Sequence, residues 1–177
     1  NPIDFSLSCE NEWLCMLITR LYGFKTADTQ IGRFESAKAL IVRRFDRLLS
    51  NDGKKFFRLP TEDLCQALGI PSVNKYEADG GPGIASIMNL LRMSSQSDLD
   101  QETFFKTQIL FWLLEATDSH AKNFSVFLEK GGGFHLTPLY DIMSTAPLTA
   151  SGVVSPRRIK MAMGLLGKKQ TLPLFRH

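Results

Sequence analysis

The sequence is poor in most features that mark a specialised chain. It has three cysteines, Cys9, Cys15 and Cys65, and no CxxC pair. That argues against a disulfide scaffold or a zinc module and suits a reducing cytoplasm. No apolar run approaches the roughly 18 residues needed to span a bilayer. The longest, TQILFWLLEAT at 107–117, suits a buried helix better. The opening NPIDFSLSCENEW has no basic n-region and no apolar h-region, so no secretory signal is read. An excess of one charge is also missing: 21 Lys+Arg face 18 Asp+Glu, for a net +3. This balance permits an anionic ligand such as a nucleotide and gives no reason to expect direct nucleic-acid binding. There is no G-x-x-x-x-G-K-[ST] phosphate loop, and Gly80–Gly83 lies in the wrong context for one.

What is present is an ordinary globular balance, 44% hydrophobic and 22% charged over 177 residues, enough for one domain with a real core. The start at Asn1 without a methionine and the end at TLPLFRH without a polar tail read as cut ends. Residues 10–22 predict a helix with Leu14, Leu17, Ile18, Leu21 and Tyr22 on its apolar face and Gly23 as its stop. KALIVRRF at 38–45 reads as a strand, and Asn51-Asp52-Gly53 as the turn of a hairpin over 38–59. Pro60–Asp63 predicts a helix start, closed by Gly69 and Pro71. Ile84, Ile87, Met88 and Leu91 mark another helical face. Asp98–Gln101 reads as a capping connector before a helix at about 101–117, with Phe105, Ile109, Trp112, Leu113 and Ala116 at helical spacing. FSVFLE, a glycine turn and FHL form a hairpin. Arg157–Leu166 suggests a basic helix. The fold class is α+β, with helices dominant and small hairpins attached.

The chemistry concentrates where the buried helix ends. DSHAKN at 118–123 gives D-x-x-x-x-N, the spacing of the protein-kinase catalytic loop. In that plan Asp118 takes or orients the proton of an attacking hydroxyl. Asn123 and Asp141, the latter after the hairpin, hold a magnesium ion against phosphates, a hard cation that prefers oxygen. Taken alone the pattern is common. Asp118 fits a simple turn cap at least as well, and Asp118, His120 and Asp141 also suit a metal-dependent phosphohydrolase. His-Arg-Asp, Asp-Phe-Gly and Ala-Pro-Glu are all absent.

Longer strings separate these readings. ATDSHAKNFSVFL and LTPLYDIMSTAPL resemble the signature of HipA-like bacterial serine/threonine kinases, toxins of toxin–antitoxin pairs with a divergent kinase fold. VRRFDR at 42–47, RLPTEDLCQALG at 58–69, KYEADGGPGI at 75–84 and KMAMGL at 160–165 are similar in the same order. The likeness runs from about 8 to 166, and residues 1–177 are read as one partial C-terminal kinase domain, mostly helical. Carried over position by position, the resemblance makes Asp118 the catalytic base and Asn123 and Asp141 the Mg2+ ligands. It puts His120 and Lys122 in support of the phosphates or the base. It sets Phe45 in the hinge that receives the adenine of ATP through a backbone group. Arg43 stands where the family usually has Glu, and Ser119 where Gly is common.

The resemblance also implies a DNA-binding antitoxin as partner, a translation factor such as glutamyl-tRNA synthetase as protein substrate, a cytoplasmic location and a role in persistence. The family's phosphate-covering loop and phosphate-pairing lysine find no counterpart in these residues. A weak or inactive isolated chain is therefore expected. The alternative is a catalytically incomplete remnant acting only as an antitoxin- or protein-binding module.

Overall fold

The computed structural model describes residues 6–155, 157 and 159–164. Helix α1 (Ser8–Leu21) leads into a hairpin of β1 (Thr29–Phe34) and β2 (Ala37–Val42). A second hairpin, β3 (Arg47–Leu49) with β4 (Phe56–Arg58), follows a short connector. Then come β5 (Thr61–Asp63), α2 (Leu64–Ala67), α3 (Ile84–Leu91) and α4 (Ser97–Leu113). Strands β6 (Ser125–Leu128) and β7 (Phe134–Leu136) precede α5 (Ala146–Ala150). A three-stranded antiparallel sheet has the order β5-β6-β7, with Glu62 opposite Val126 and Phe127 opposite His135. The architecture is α+β with small hairpins, as expected. Among the described residues no helix is long and apolar enough to cross a membrane.

The core is an aromatic stack under the end of α4. Phe124 lies 5.0 Å from Phe104 and 5.8 Å from Phe111, ring centre to ring centre, and all three are essentially fully buried. Met16, Leu64, Ile87, Leu91, Val126 and Ile142 complete it from five other segments. Burying large side chains from so many places ties distant elements into one unit.

Several expectations are corrected here. Helix α1 buries Cys15, Met16 and Thr19, while Leu14, Leu21 and Tyr22 are exposed. Thr19 tolerates burial because its hydroxyl donates to the Cys15 carbonyl one turn back. Strand 38–42 pairs with 29–34 and not with 56–58. The β1–β2 turn places Glu35 at φ 53, so it lacks the glycine that would announce it. The Asn51–Gly53 turn exists but joins β3 to β4. Residues 61–63 form a strand. Helix α2 starts only after Asp63, whose carboxylate accepts from the Gln66 amide while the Gln66 side chain accepts from the Asp63 N–H. This reciprocal pair supports a helix of a single turn.

The expected connector 98–101 lies inside α4. Buried Asp100 accepts from the Ser94 hydroxyl and the Leu136 N–H, fastening α4 to β7. Helix α4 also faces the core with Phe104, Thr107, Leu110 and Phe111, whereas Phe105, Ile109 and Leu113 are exposed. Both faces are apolar, so spacing did not choose between them. The outer face joins Trp112, Met161 and Met163 around a groove of about 260 Å³. Of the expected helix 157–166, Arg158, Leu165 and Leu166 lie outside the described residues, and 159–164 are not helical.

The one-sided burial of α4 predicts a contrast. Phe104→Ala should cost about 3–5 kcal/mol by cavity formation, while Phe105→Ala, on the half-exposed side, should cost less than about 1 kcal/mol. Denaturant midpoints measure both, and equal losses would contradict this orientation.

Candidate active site

Helix α4 ends in a way that aims the next residues outward. Glu115 takes a left-handed backbone, φ 53, and the Ala116 N–H bonds back to the Phe111 carbonyl. Ala116 and Phe124 are both buried, so residues 117–123 form a short loop anchored at both ends. Within it the Ser119 hydroxyl donates to the Ala116 carbonyl, and the Asn123 N–H donates to the His120 carbonyl. From outside, the Ala162 N–H donates to the Thr117 carbonyl and the Thr145 N–H to the Glu115 carbonyl. The loop is thus braced along its whole length.

Asp118 stands exposed at the loop's tip, its Oδ1 accepting the Tyr76 hydroxyl at 2.6 Å. Asn123, almost buried, donates from Nδ2 to Asp141 Oδ2 at 2.6 Å. Asp141 itself has φ 56, a left-handed conformation that Asp and Asn tolerate better than most side-chain-bearing residues. Asn123 Oδ1 is buried without a hydrogen-bond partner. Such a group is costly unless something else fills its lone pairs.

Among the described residues no group of three or more His, Cys, Asp or Glu could hold a metal alone. An amide oxygen and a carboxylate joined by one hydrogen bond nevertheless fit magnesium, which keeps waters and substrate phosphates as its other ligands.

His120 lies between the acids, and the charges of both Asp118 and Asp141 act on it. Burial and the nearby Lys75 outweigh them and hold its imidazole below the ordinary histidine range, so it is neutral at pH 7. Its ring meets Tyr76 edge-on at 5.0 Å, and its buried Nδ1 has no partner. Lys122 gives its ammonium to Asp63 Oδ2 at 2.8 Å, pinning the loop to the cap of α2. Phe45 sits in the connector between β2 and β3, its ring 5.5 Å from Tyr140. The two rings, with Arg43, Arg44, Thr61 and Ser125, border a cleft of about 280 Å³. Tyr140 is fixed by donating to the Lys122 carbonyl and by a 2.6 Å bond with Ser125, and the next residue is Asp141. Two walls of the cleft, Tyr140 and Ser125, thus belong to the segments that carry Asp141 and Asn123.

Three site residues were not found by spacing. Tyr76 lies 42 positions from its partner Asp118. Asp63 was read only as part of a helix start. Glu12 lies within the helix read over 10–22, where nothing local marks it, yet burial and the charge of Asp141 push its carboxyl up to about 7. Only the string KYEADGGPGI gave any signal for Tyr76, and it carried no chemical role by itself.

Residues 2–176 match the family described as the HipA-like C-terminal domain. The protein Y4mE of Sinorhizobium fredii, which bears the name of a candidate kinase, is 34% identical over 169 residues, covering 95% of this chain and 38% of that protein. The serine/threonine-protein kinase toxin HipA of Shewanella oneidensis is 32% identical over 145 residues, covering 76% of this chain and 33% of that protein. The chain thus spans 38% and 33% of the length of these two relatives. Among solved structures, Shewanella oneidensis HipA in complex with HipB and operator DNA matches with a TM-score of 0.80 at 24% identity. That match covers 90% of this chain and 38% of the solved one. The Helicobacter pylori proinflammatory kinase CtkA matches with a TM-score of 0.65 at 13% identity, covering 91% and 62%. These two likenesses show the fold.

The carboxyl of Glu12 gives a pH test. Its folded value lies above its ordinary 4.5. Its contribution to stability is therefore fully present below pH 4.5 and lost as pH rises through about 7. Glu12→Gln is expected to remove that loss, so its melting midpoint should gain on the parent protein between pH 5 and pH 8, measured in chelator. A difference that stays constant with pH would contradict the arrangement.

Proposed function

Because the chain belongs to the HipA-like C-terminal domain family, we propose that it carries the base and the magnesium ligands of an ATP-dependent serine/threonine protein kinase of the toxin type. The observation that carries this reading is the Asn123–Asp141 pair, with an unpartnered buried oxygen, beside the braced Asp118 loop. Asp118 accepts the proton of the substrate serine or threonine hydroxyl as its oxygen bonds to the γ-phosphorus of ATP and the bond to ADP breaks. Asn123 Oδ1 and the Asp141 carboxylate are the groups that would hold a magnesium ion, which would neutralise charge on the phosphates. The adenine lies in the cleft between Phe45 and Tyr140, paired with backbone of the 43–46 connector. Neutral His120 fills the space behind Asp118 and Asp141 without adding a positive charge. Lys122 acts on the site through Asp63, by holding the loop in place.

The wider role follows by kinship. The solved Shewanella oneidensis HipA is bound to HipB and operator DNA. A DNA-binding antitoxin is accordingly proposed as this protein's partner, a translation factor as its substrate, persistence as its effect and the cytoplasm as its location. The domain's extent is taken as residues 1–177. Phosphoryl transfer is a matter of positioning and electrostatics from every side of the nucleotide. Since the relatives are much longer than this chain, the isolated 177 residues are expected to bind nucleotide better than they turn it over.

Calorimetric titration with Mg-ATP tests the reading. Saturable binding that requires magnesium and disappears in Asp141→Asn is expected. Asn is chosen because it tolerates the left-handed backbone at 141. In the full-length protein Asp118→Asn should lower phosphotransfer by about 10²–10⁴-fold. A folded protein that binds no nucleotide would refute the kinase reading and leave antitoxin binding as the function.

A further inference from the structure

Two strings, KYEADGGPGI and KMAMGL, are left without a role by the base and the metal pair, yet they meet at Asp118. The turn over 74–81 is wound tightly: the N–H groups of Asp79 and Gly81 both donate to the Tyr76 carbonyl. A Cβ on Gly81 would collide with the carbonyl oxygens of Asn74 and Tyr76, and one on Gly83 would collide with the Glu77 carboxylate. Gly81, set against backbone, therefore serves close approach that a side chain would block, while Gly83 leaves room for the Glu77 carboxylate in its present position. The Glu77 carboxylate accepts the Gly164 N–H at 2.6 Å, and Ala162 of the same segment binds the Thr117 carbonyl. The turn that carries Tyr76 and the segment that braces the base loop are thus one connected frame. At its apex the Tyr76 ring lies under the Lys75 ammonium, 4.9 Å away, and edge-on to His120. Its hydroxyl donates to Asp118 Oδ1 at 2.6 Å.

Resting on the kinase reading above, we infer that Tyr76 is a positioning residue for Asp118: its phenol fixes Oδ1, so that Oδ2 faces the incoming hydroxyl. Asp118 is solvent-exposed, so its carboxylate needs no such partner for burial. Water competes for an exposed carboxylate, which reduces what the bond adds to stability. A free Asp side chain would rotate among several rotamers, and a base must hold its oxygen within hydrogen-bond reach of the proton it takes. The bond to Asp118 and burial push the phenol up to about 12, so it remains a donor throughout the working pH range. The Lys75 ammonium and the His120 ring hold the phenol from two other sides.

The test is steady-state phosphotransfer by the full-length protein carrying Tyr76→Phe, Asp118→Asn, both together, or Gly81→Ala. Tyr76→Phe keeps the ring contacts and loses only the donor. It should lower kcat by about 10- to 100-fold while KM for ATP stays within about twofold and the melting midpoint is unchanged. In the Asp118→Asn background it should have no further effect. Gly81→Ala, which keeps the phenol but displaces the turn, should reproduce the fall in kcat. An unchanged kcat in Tyr76→Phe, a loss that multiplies independently in Asp118→Asn, or a loss carried by KM for ATP would each overturn the inference. Loss of activity in Asp118→Asn with none in Tyr76→Phe sinks the positioning role alone. Full activity in Asp118→Asn, or none in the parent protein, sinks the base assignment and the positioning role with it.

Discussion

Burial of Phe124 is the constraint on which the candidate site depends. Its ring fills the gap between Phe104 and Phe111, and its backbone carbonyl accepts the Leu64 N–H that begins α2. Removing so much aromatic surface from water is worth about 2–3 kcal/mol. Asn123 and Ser125 follow from it directly. With Phe124 pointing into the core, the residue before it must face Asp141 and the residue after it must enter β6. Ala116 fixes the other end of the loop in the same way. Polar chemistry at the site is thus positioned by apolar packing beneath it, and the hydrogen bonds refine what the core has already set.

The electrostatics have an equally simple origin. Burial first, and then the charge of Asp141, raise the carboxyl of Glu12. The cation that the loop itself supplies, Lys122, is turned away to Asp63. His120 remains neutral because burial and Lys75 outweigh both acids. Among the described residues Asp118 and Asp141 accept from Tyr76 and Asn123 and neither is joined to a cation in an ion pair. That is a poor arrangement for stability and a suitable one for a divalent cation and the phosphates that accompany it.

The sequence made the loop legible and much of its surroundings illegible, for separate reasons. Asp118 and Asn123 sit at a spacing fixed by one loop, so their chemistry could be read locally. The β6–β7 hairpin and the stop of α1 at Gly23 were announced by glycines where the chain needs a left-handed turn. Strand β1 was missed because Glu35 makes its turn without one. Helix α4 carries apolar residues on both of its sides, so period alone cannot rank Phe104 against Phe105. Tyr76 and Glu12 were invisible because their partners are brought to them only by tertiary packing.

That last failure has a physical lesson for the unassigned strings. A glycine in a loop is usually explained by its own backbone angles, but Gly81 and Gly83 matter for what they lie against. Their value lies in the space a Cβ would occupy, and that space belongs to the turn holding Tyr76 and to the carboxylate of Glu77. A close-packed turn is rigid in the way a core is rigid, because displacing it means displacing backbone rather than a flexible side chain. Rigidity of that kind, placed next to an exposed carboxylate, turns a mobile acid into a directed one. The same frame reaches Thr117 through Ala162 and the core through Ile84 and Met163, so both strings couple the Asp118 loop to the packing beneath it.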